Sequence, residues 1–281
     1  MAQEKRKHSF APAVSQKTLH ENLEFTATEQ YKLLRANLSF TLPEDVDCPI
    51  IGVTSSMRGE GKSTTAINLS YVLSESGKRV LLIDGDLRIP SIAKKLGLET
   101  TIGLTHLLRG TEAITLGTFK FREYANWYIV PSGDLPPNPS ELLGSHRMEN
   151  VLKSLSENFD YIIVDLPPVG IVSDALAISK YLTGLIVVVR EDYTEKRELE
   201  NCVRLLKLSN VNVLGFVLNG SKGGGSYKKY RYKRYRYKSY RYGYGYGYGY
   251  GYGNNKTAAQ TAEEAPPAEP ESAEAPPGTD A

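Results

Sequence analysis

Short apolar runs alternate with longer amphipathic segments from about residue 25 to residue 220. The apolar runs predict strands over residues 50–54, 79–84, 127–131, 160–165, 184–189 and 212–218. Helical spacing between them predicts helices over residues 28–40 (with Thr28 as N-cap), 62–75, 140–157, 173–181 and 195–208. Strands that are apolar throughout are typical of a parallel sheet that is buried on both faces. The predicted fold class is therefore α/β, a mostly parallel sheet flanked by helices on both faces.

Composition divides the chain into four segments. Residues 1–24 have no apolar periodicity, which predicts a flexible arm, and residues 25–221 form the folded domain. Residues 222–253 are rich in tyrosine, and residues 254–281 are rich in Ala, Glu and Pro. Both of these last segments contain too few core-forming residues to fold, so the C-terminal tail is predicted to be disordered.

The net charge of +2 conceals a strong segregation of charge along the chain. Residues 222–241 carry nine Lys or Arg and no acid, whereas residues 254–281 carry six acids and one Lys. Cys48 and Cys202 belong to no metal or redox motif, which favours two reduced thiols. Neither a secretory signal nor a run of about 18 apolar residues is evident, so membrane association is expected only through a partner.

A glycine-containing loop follows the first predicted strand. Residues 55–64 are SSMRGEGKST, and the phosphate-loop consensus G-x-x-x-x-G-K-[ST] has Gly where this chain has Ser56. Gly59 and Gly61 allow backbone N–H groups to surround a phosphate at a helix N-terminus. A chance Gly-Lys-Ser turn is the alternative, but the strand before it and the helix after it disfavour that interpretation. The predicted nucleotide-binding residues of this P-loop domain are Gly59, Glu60, Gly61, Lys62, Ser63 and Thr64.

Aspartates stand at the ends of two other predicted strands. Asp84 and Asp86 lie within LIDGDLR, and Asp165 lies within IIVDLPP. Carboxyl ends of parallel strands meet at one edge of a sheet, where an Mg²⁺ ion beside a phosphate loop requires carboxylates. A structural role such as an N-cap is the alternative for any one of them. If Asp84 and Asp86 lie close together, Mg²⁺ or Arg88 must offset their repulsion.

These motifs resemble those of the bacterial tyrosine kinases that regulate surface polysaccharide synthesis. That family carries a Walker A motif, a D-x-D-x-R Walker A′ motif and a D-x-P-P Walker B motif. All three occur here in order, as GEGKST at 59–64, Asp84/Asp86/Arg88, and Asp165 with Pro167 and Pro168. PPNPSELL at 136–143, the segment 188–190 and the segment 217–219 are also similar, so the resemblance covers roughly residues 25–220.

The resemblance implies a P-loop protein tyrosine kinase that uses ATP and Mg²⁺. The implied catalytic residues are Lys62, Asp84, Asp86, Arg88 and Asp165. Lys62 and Thr64 hold phosphates in this interpretation, and the implied metal ligands are Ser63, Asp84 and Asp165. Either Asp84 or Asp86 takes the proton of the tyrosine hydroxyl, and the sequence leaves that choice open. Asn219 forms hydrogen bonds with the edge of the adenine base or, alternatively, is an ordinary loop residue.

A partition- or division-type switch ATPase without kinase activity is the rival interpretation. Such ATPases carry a lysine five residues before the invariant one, and this chain has Met57 there, followed by Arg58. The tail favours the kinase, because its tyrosines are predicted phosphoacceptors: Tyr227, Tyr230, Tyr232, Tyr235, Tyr237, Tyr240, Tyr242, Tyr244, Tyr246, Tyr248, Tyr250 and Tyr252. Tyr/Arg/Gly-rich segments also bind RNA or condense, but beside a P-loop domain no nucleic-acid partner is expected.

Glu29, Lys32 and Arg35 recur every three residues on a predicted helix. This spacing is typical of a solvated face, but the kinase family has E-x-x-R-x-x-R here and uses it to join subunits into a ring. Lys32 lacks the planar fork of the arginine in that pattern, so a weaker ring contact is expected. The resemblance further implies two partners, a transmembrane activator with a cytoplasmic segment and a tyrosine phosphatase. It also implies that this chain is cytoplasmic and is recruited by the activator to the inner face of the membrane.

Overall fold

A computed structural model describes residues 23–98, 102–110, 119–121, 124 and 126–221. The predicted N-terminal arm up to residue 22 and the tail from residue 222 onwards, with all twelve predicted phosphoacceptor tyrosines, lie outside the described residues.

One or two helices separate each strand from the next along the described part of the chain. The strands are β1 (Ile50–Ser55), β2 (Val80–Asp84), β3 (Trp127–Val130), β4 (Tyr161–Asp165), β5 (Gly184–Arg190) and β6 (Val213–Asn219). The helices are α1 (Phe25–Thr41), α2 (Lys62–Glu75), α3 (Ile92–Leu96), α4 (Leu104–Arg109), α5 (Pro139–Leu143), α6 (His146–Ser156), α7 (Asp174–Ser179) and α8 (Lys196–Leu208). Every predicted strand is confirmed, with ends that differ by one residue or less.

The strands form one six-stranded sheet in the order β3-β2-β4-β1-β5-β6, and every neighbouring pair is parallel. Successive strand residues point to opposite faces, so Leu81 and Ile83 join one hydrophobic cluster while Val80 and Leu82 join the other. Helices α4 to α8 cover the first face, and α1, α2 and α3 cover the second. The predicted α/β class is confirmed, because both faces of the sheet are covered by helices.

Two helix predictions need correction. The first helix begins at Phe25, after Glu24, so Thr28 is a buried residue inside α1 and does not cap it. The predicted helix 140–157 is divided at Gly144, because the Ser145 hydroxyl accepts a hydrogen bond from the Met148 amide and starts a new helix there.

Helices α3 and α4 were missed because five or six residues are too few to show helical spacing. Gly97 and Gly110 follow them in the left-handed region, with φ of 62° and 66°. A glycine directly after a short amphipathic stretch is the signal that could have revealed both helices.

Within the described residues, no helix combines the length and the apolar character that crossing a bilayer requires. Cys48 and Cys202 are buried free thiols, as expected. Burial first, and then the charge of Asp160, raises the pKa of Cys48 to about 12. Burial, and then the charge of Glu60, raises the pKa of Cys202 to about 11. Both side chains therefore act as small apolar core residues at neutral pH.

Candidate active site

The loop between β1 and α2 has the backbone of a phosphate-binding loop. Gly59 and Gly61 have φ of 82° and 97°, which favour glycine, and Gly61 is the N-cap of α2. A Cβ atom at Gly61 would lie 2.0 Å from the Asn219 side-chain nitrogen, so a larger residue would displace Asn219. Lys62 and Ser63 begin α2, where N–H groups of the first turn are left for an anion.

Lys62 and the acids at the strand ends meet beside this loop. The Lys62 Nζ atom lies 2.9 Å from Asp86 Oδ2, 3.4 Å from Asp165 Oδ1 and 3.4 Å from the Ser63 hydroxyl oxygen. The Lys62 side chain is only 12% exposed, and Asp165 is fully buried. The structure thus brings together groups that are separated by as many as 103 residues in the sequence.

Asp84 belongs to the same cluster but is held by the backbone. It pairs with Asp165 across the β2–β4 register. Its Oδ2 accepts hydrogen bonds from the amides of Ser91 at 3.1 Å and Ile92 at 3.0 Å, and its Oδ1 accepts one from the Asp86 amide at 3.3 Å. Asp84 therefore organises the turn after β2 and the start of α3.

The close approach of these groups changes their proton affinities. Burial first, and then the charge of Asp165, raises the pKa of Asp84 to about 7. Burial also raises the pKa of Asp165, against the opposing charge of Lys62. Burial alone would lower the pKa of Lys62, but the charges of Asp165 and Asp86 outweigh it and raise that pKa. Lys62 therefore stays protonated, and the pKa of Asp84 lies near neutral pH.

Arg88, which the sequence named beside Mg²⁺ as a group that could offset the aspartate repulsion, forms its hydrogen bonds with Asp174 and Ser140. Its Nε lies 2.8 Å from Asp174 Oδ2, and one terminal nitrogen lies 3.0 Å from Asp174 Oδ1 and 3.4 Å from the Ser140 hydroxyl. Lys62 contacts Asp86 instead, because α2 brings its ammonium to the carboxyl ends of β2 and β4. The fully buried Asp174, which sequence reasoning missed, draws Arg88 away, and this hydrogen bonding raises the pKa of Arg88.

Three further predicted nucleotide residues lie in the loop or beside it. The fully buried Glu60 carboxylate accepts hydrogen bonds from the Ser56 hydroxyl at 2.8 Å and the Met57 amide at 2.7 Å. The Thr64 hydroxyl lies 3.5 Å from Lys95 Nζ. The Asn219 side-chain nitrogen donates to the Glu60 carbonyl at 2.8 Å. The side chains of Glu60 and Asn219 thus support the loop backbone, and contact between Asn219 and adenine stays a prediction.

The predicted oligomerisation residues make contacts inside the chain. Lys32 pairs with Glu29 at 3.0 Å, and both side chains are more than 40% exposed. An Arg35 terminal nitrogen donates to the Val72 carbonyl at 2.6 Å, near the C-terminal end of α2. Arg35 therefore joins α1 to α2, a role that the periodic spacing did not suggest.

The site offers oxygen ligands of the kind that Mg²⁺ prefers. Asp165 Oδ2 is buried and has no hydrogen-bond partner among the described residues, and the Ser63 hydroxyl lies at the same cluster. No three His, Cys, Asp or Glu side chains within the described ranges form a metal-binding group by themselves. Mg²⁺ typically takes one or two carboxylates and completes its shell with phosphate oxygens and water. The residues present therefore fit an ion that arrives with a nucleotide.

Comparison with known proteins assigns the chain to a family. The AAA domain family matches residues 48–212, more than half of the chain. The tyrosine-protein kinase YwqD of Bacillus subtilis is 35% identical over 195 residues, which cover 69% of this chain and 81% of YwqD. The chain belongs to the bacterial tyrosine kinases.

Solved structures agree with this family. The kinase domain of the Escherichia coli tyrosine kinase ETK matches with a TM-score of 0.65 and 28% identity, covering 80% of this chain and 80% of that domain. The septum site-determining protein MinD of Pyrococcus horikoshii, complexed with Mg-ADP, matches with a TM-score of 0.50 and 29% identity over 61% of this chain and 70% of MinD. This tyrosine-protein kinase therefore has a nucleotide-binding P-loop domain, and its relatives favour the kinase over the switch ATPase.

Proposed function

We propose that this kinase transfers the γ-phosphoryl group of ATP to tyrosines of its own tail, and that one chain modifies another. The observation that carries the proposal is the cluster of Lys62, Asp86 and Asp165 beside the phosphate loop, with Lys62 Nζ at 2.9 Å and 3.4 Å from the two acids. A lysine and carboxylates at the N-terminus of a helix are the groups that phosphoryl transfer needs for charge neutralisation and positioning.

Each group has a distinct role in this proposal. Lys62 and Thr64 bind phosphate oxygens, and Ser63 with Asp84 and Asp165 forms the protein part of the Mg²⁺ site. When bound, Mg²⁺ supplies neutralisation of the phosphate charge. The tyrosine oxygen forms the new P–O bond, the bond between the γ-phosphorus and the bridging oxygen breaks, and ADP leaves. The hydroxyl proton passes to Asp84 or Asp86.

The proton acceptor can be identified from the pH dependence of the reaction. The pKa of Asp84 is about 7 before Mg²⁺ binds, and the charge of the ion would lower it. Asp86 is slightly exposed, and its Oδ1 accepts a hydrogen bond from the Ile89 amide at 3.0 Å. If Asp84 is the base, Asp84→Asn removes the acidic limb of the pH profile of kcat/KM, whereas Asp86→Asn retains it. The reverse result assigns the base to Asp86.

The tail supports the proposal through its charge. Residues 222–241 carry nine positive charges that favour docking at an acidic site, and twelve tyrosines lie between residues 227 and 252. Each phosphate adds roughly −1.5 to −2 charges at neutral pH, so about five or six phosphates cancel the local positive charge. Phosphorylation would then release the tail, and phosphorylation stoichiometry from mass spectrometry tests this charge reversal.

The family resemblance supports the wider setting. We infer a ring in which each tail enters the active site of its neighbour, with Glu29, Lys32 and Arg35 at the contact. A transmembrane activator with a cytoplasmic segment recruits the kinase to the inner face of the membrane. A tyrosine phosphatase reverses the modification, and this cycle of phosphorylation and dephosphorylation regulates capsular or extracellular polysaccharide synthesis. Full activity of the purified chain without any membrane protein would contradict the activator.

A mixing experiment tests the central proposal. Chain 1–221 lacks the acceptor tyrosines but keeps the site, and full-length Lys62→Met keeps the acceptors but loses the ammonium. Incubated together with ATP and Mg²⁺, they should give phosphotyrosine on the Lys62→Met tail, because the intact site acts on another chain. Each protein alone should give none. ATP hydrolysis without tyrosine label in the wild-type chain would instead support the switch ATPase.

A further inference from the structure

The outer side of the phosphate loop is held by side chains from a distant part of the sequence. The Tyr193 hydroxyl donates to the Arg58 carbonyl at 3.0 Å, and Arg190 donates to the Gly59 carbonyl at 3.0 Å. The Asn219 amide donates to the Glu60 carbonyl at 2.8 Å. Three successive loop carbonyls thus have side-chain donors, which come from the end of β5, the turn after it and the end of β6. We call Arg190, Tyr193 and Asn219 the carbonyl clamp.

The direction of these hydrogen bonds matters for nucleotide binding. A phosphate loop binds its anion through backbone N–H groups, so its carbonyl groups must turn outward and find donors there. With φ of 82° at Gly59 and 97° at Gly61, the loop backbone is one that a free chain samples among many others. Donors fixed on the sheet restrict it to one conformation before the ligand arrives, which lowers the entropic cost of binding.

The turn that carries Tyr193 is itself held in place. Asp192 has φ of 57°, an uncommon value for a residue other than glycine. The Thr194 amide donates to the Arg190 carbonyl at 3.0 Å, and the Thr194 hydroxyl accepts from the Arg190 amide at 2.9 Å. The Arg190 guanidinium lies over the Tyr193 ring, 5.0 Å from its centroid. Local backbone bonds and this stacking therefore fix the direction of both donors.

A second contact ties the same turn to the loop. The Thr194 hydroxyl is hydrogen-bonded to the Glu60 carboxylate, which also accepts bonds from Ser56 and the Met57 amide. Glu60 is fully buried, so its charge depends on these donors for stabilisation. The turn after β5 thus contacts the loop through its backbone carbonyls and through the one acidic side chain within it.

We propose that Arg190 and Tyr193, together with Asn219, are positioning residues that hold the phosphate loop in its nucleotide-binding conformation. The inference rests on the proposed use of ATP at this loop. None of these side chains needs to touch the reacting atoms. Their effect is on nucleotide affinity, and they act through the carbonyls of residues 58–60.

Tyr193→Phe tests the proposal by removing one hydroxyl and keeping the ring. One neutral hydrogen bond typically contributes about 0.5–1.5 kcal/mol, so we expect MgADP to bind about 3- to 10-fold more weakly by titration calorimetry. The matched control is Tyr181→Phe, because the Tyr181 hydroxyl also donates to a backbone carbonyl, that of Gly144, at 3.0 Å but away from the loop. Tyr181→Phe should leave MgADP affinity unchanged.

Steady-state kinetics separate positioning from a general loss of structure. In full-length Tyr193→Phe and Arg190→Gln, KM for ATP should rise by the same factor as the dissociation constant, while kcat for tail phosphorylation changes less than about twofold. Arg190→Lys keeps a donor near the Gly59 carbonyl and should recover part of the affinity.

Unchanged MgADP affinity in both Tyr193→Phe and Arg190→Gln would overturn the clamp while leaving the proposed kinase reaction intact. An equal loss of affinity in Tyr181→Phe would also overturn it, since the effect would then be general to the fold. Failure of the wild-type chain to bind MgADP would contradict the proposed function as well as the clamp.

Discussion

Replacing Arg88 with glutamine should destabilise the fold, because Arg88 is held by Asp174. Its guanidinium makes two short contacts with that carboxylate, at 2.8 Å and 3.0 Å. Asp174 is fully buried at the first residue of α7, and the Ser140 hydroxyl is also hydrogen-bonded to it. Arg88→Gln removes the positive charge and leaves the carboxylate inside the protein.

The expected loss of stability is about 2 kcal/mol. Removing one partner of a buried ion pair costs about 3–5 kcal/mol when the remaining charge has no other stabilisation. Here the Arg88 side chain is 38% exposed, so water reaches the pair and weakens it. Ser140 and the N-terminus of α7 continue to favour the carboxylate. These offsets place the expected cost below the range for a fully buried pair.

Urea unfolding followed by tryptophan fluorescence measures this loss directly. Trp127 is the single tryptophan of the chain and is fully buried, so its emission reports unfolding of the core. Arg109→Gln is the matched control, because Arg109 pairs at 3.1 Å with Asp134, whose side chain is 54% exposed. That surface pair should contribute about 0.5 kcal/mol or less.

A double-mutant cycle decides whether Asp174 is the relevant partner. Arg88→Gln and Asp174→Asn should show a coupling free energy of about 1 kcal/mol or more, because each change removes the same contact. If Arg88→Gln abolishes tail phosphorylation without lowering stability, and no coupling with Asp174 is found, the structural role is wrong. Arg88 would then act in catalysis, as the family resemblance implied.

Two further predictions concern pH and assembly. The folded-state pKa of Asp84, about 7, lies above its ordinary value of 3.8, so the folded protein binds this proton more tightly than the unfolded chain does. The stabilisation of the fold by this proton is complete below about pH 4 and is lost as pH rises through 7. With chelator and no nucleotide, Tm should fall between pH 5.5 and 8, and Asp84→Asn should flatten that fall; a Tm that rises in the wild type would refute the assignment. Lys32→Arg supplies the planar fork, so light scattering should show stronger self-association than in the wild type. An unchanged size distribution would exclude Lys32 from the subunit contact.

The phosphate loop and the acids at the strand ends could be located from the sequence, because local patterns determine their positions. Uniformly apolar strands indicated a parallel sheet, and parallel strands place their carboxyl ends together. Asp84 and Asp165 each end such a strand, so strand type placed both at the sheet edge that carries the phosphate loop. Their direct pairing depends on the adjacency of β2 and β4. The glycines at 59 and 61 likewise identified the loop, since their backbone angles require glycine.

The partners of the long side chains were not predictable, because packing between distant elements selects them. The sequence analysis named Mg²⁺ or Arg88 as the group that offsets the repulsion between Asp84 and Asp86. Only the placement of α2 and α7 sends Lys62 to Asp86 and Arg88 to Asp174. Arg190 and Asn219 lie 131 and 159 residues from the carbonyls they contact. Their role depends on the adjacency of β1, β5 and β6 in the sheet order.

The sequence alone therefore determined the class of fold, the phosphate loop and the acids at the strand ends, since these depend on periodicity and on residues adjacent in the chain. Only the tertiary structure decided which cation neutralises which acid, that Arg35 donates to the end of α2, and that the far edge of the sheet supports the loop. The physical reason is that a hydrogen bond or ion pair depends on distance in space. That distance is set by the sheet order and by the helices packed against the two faces of the sheet.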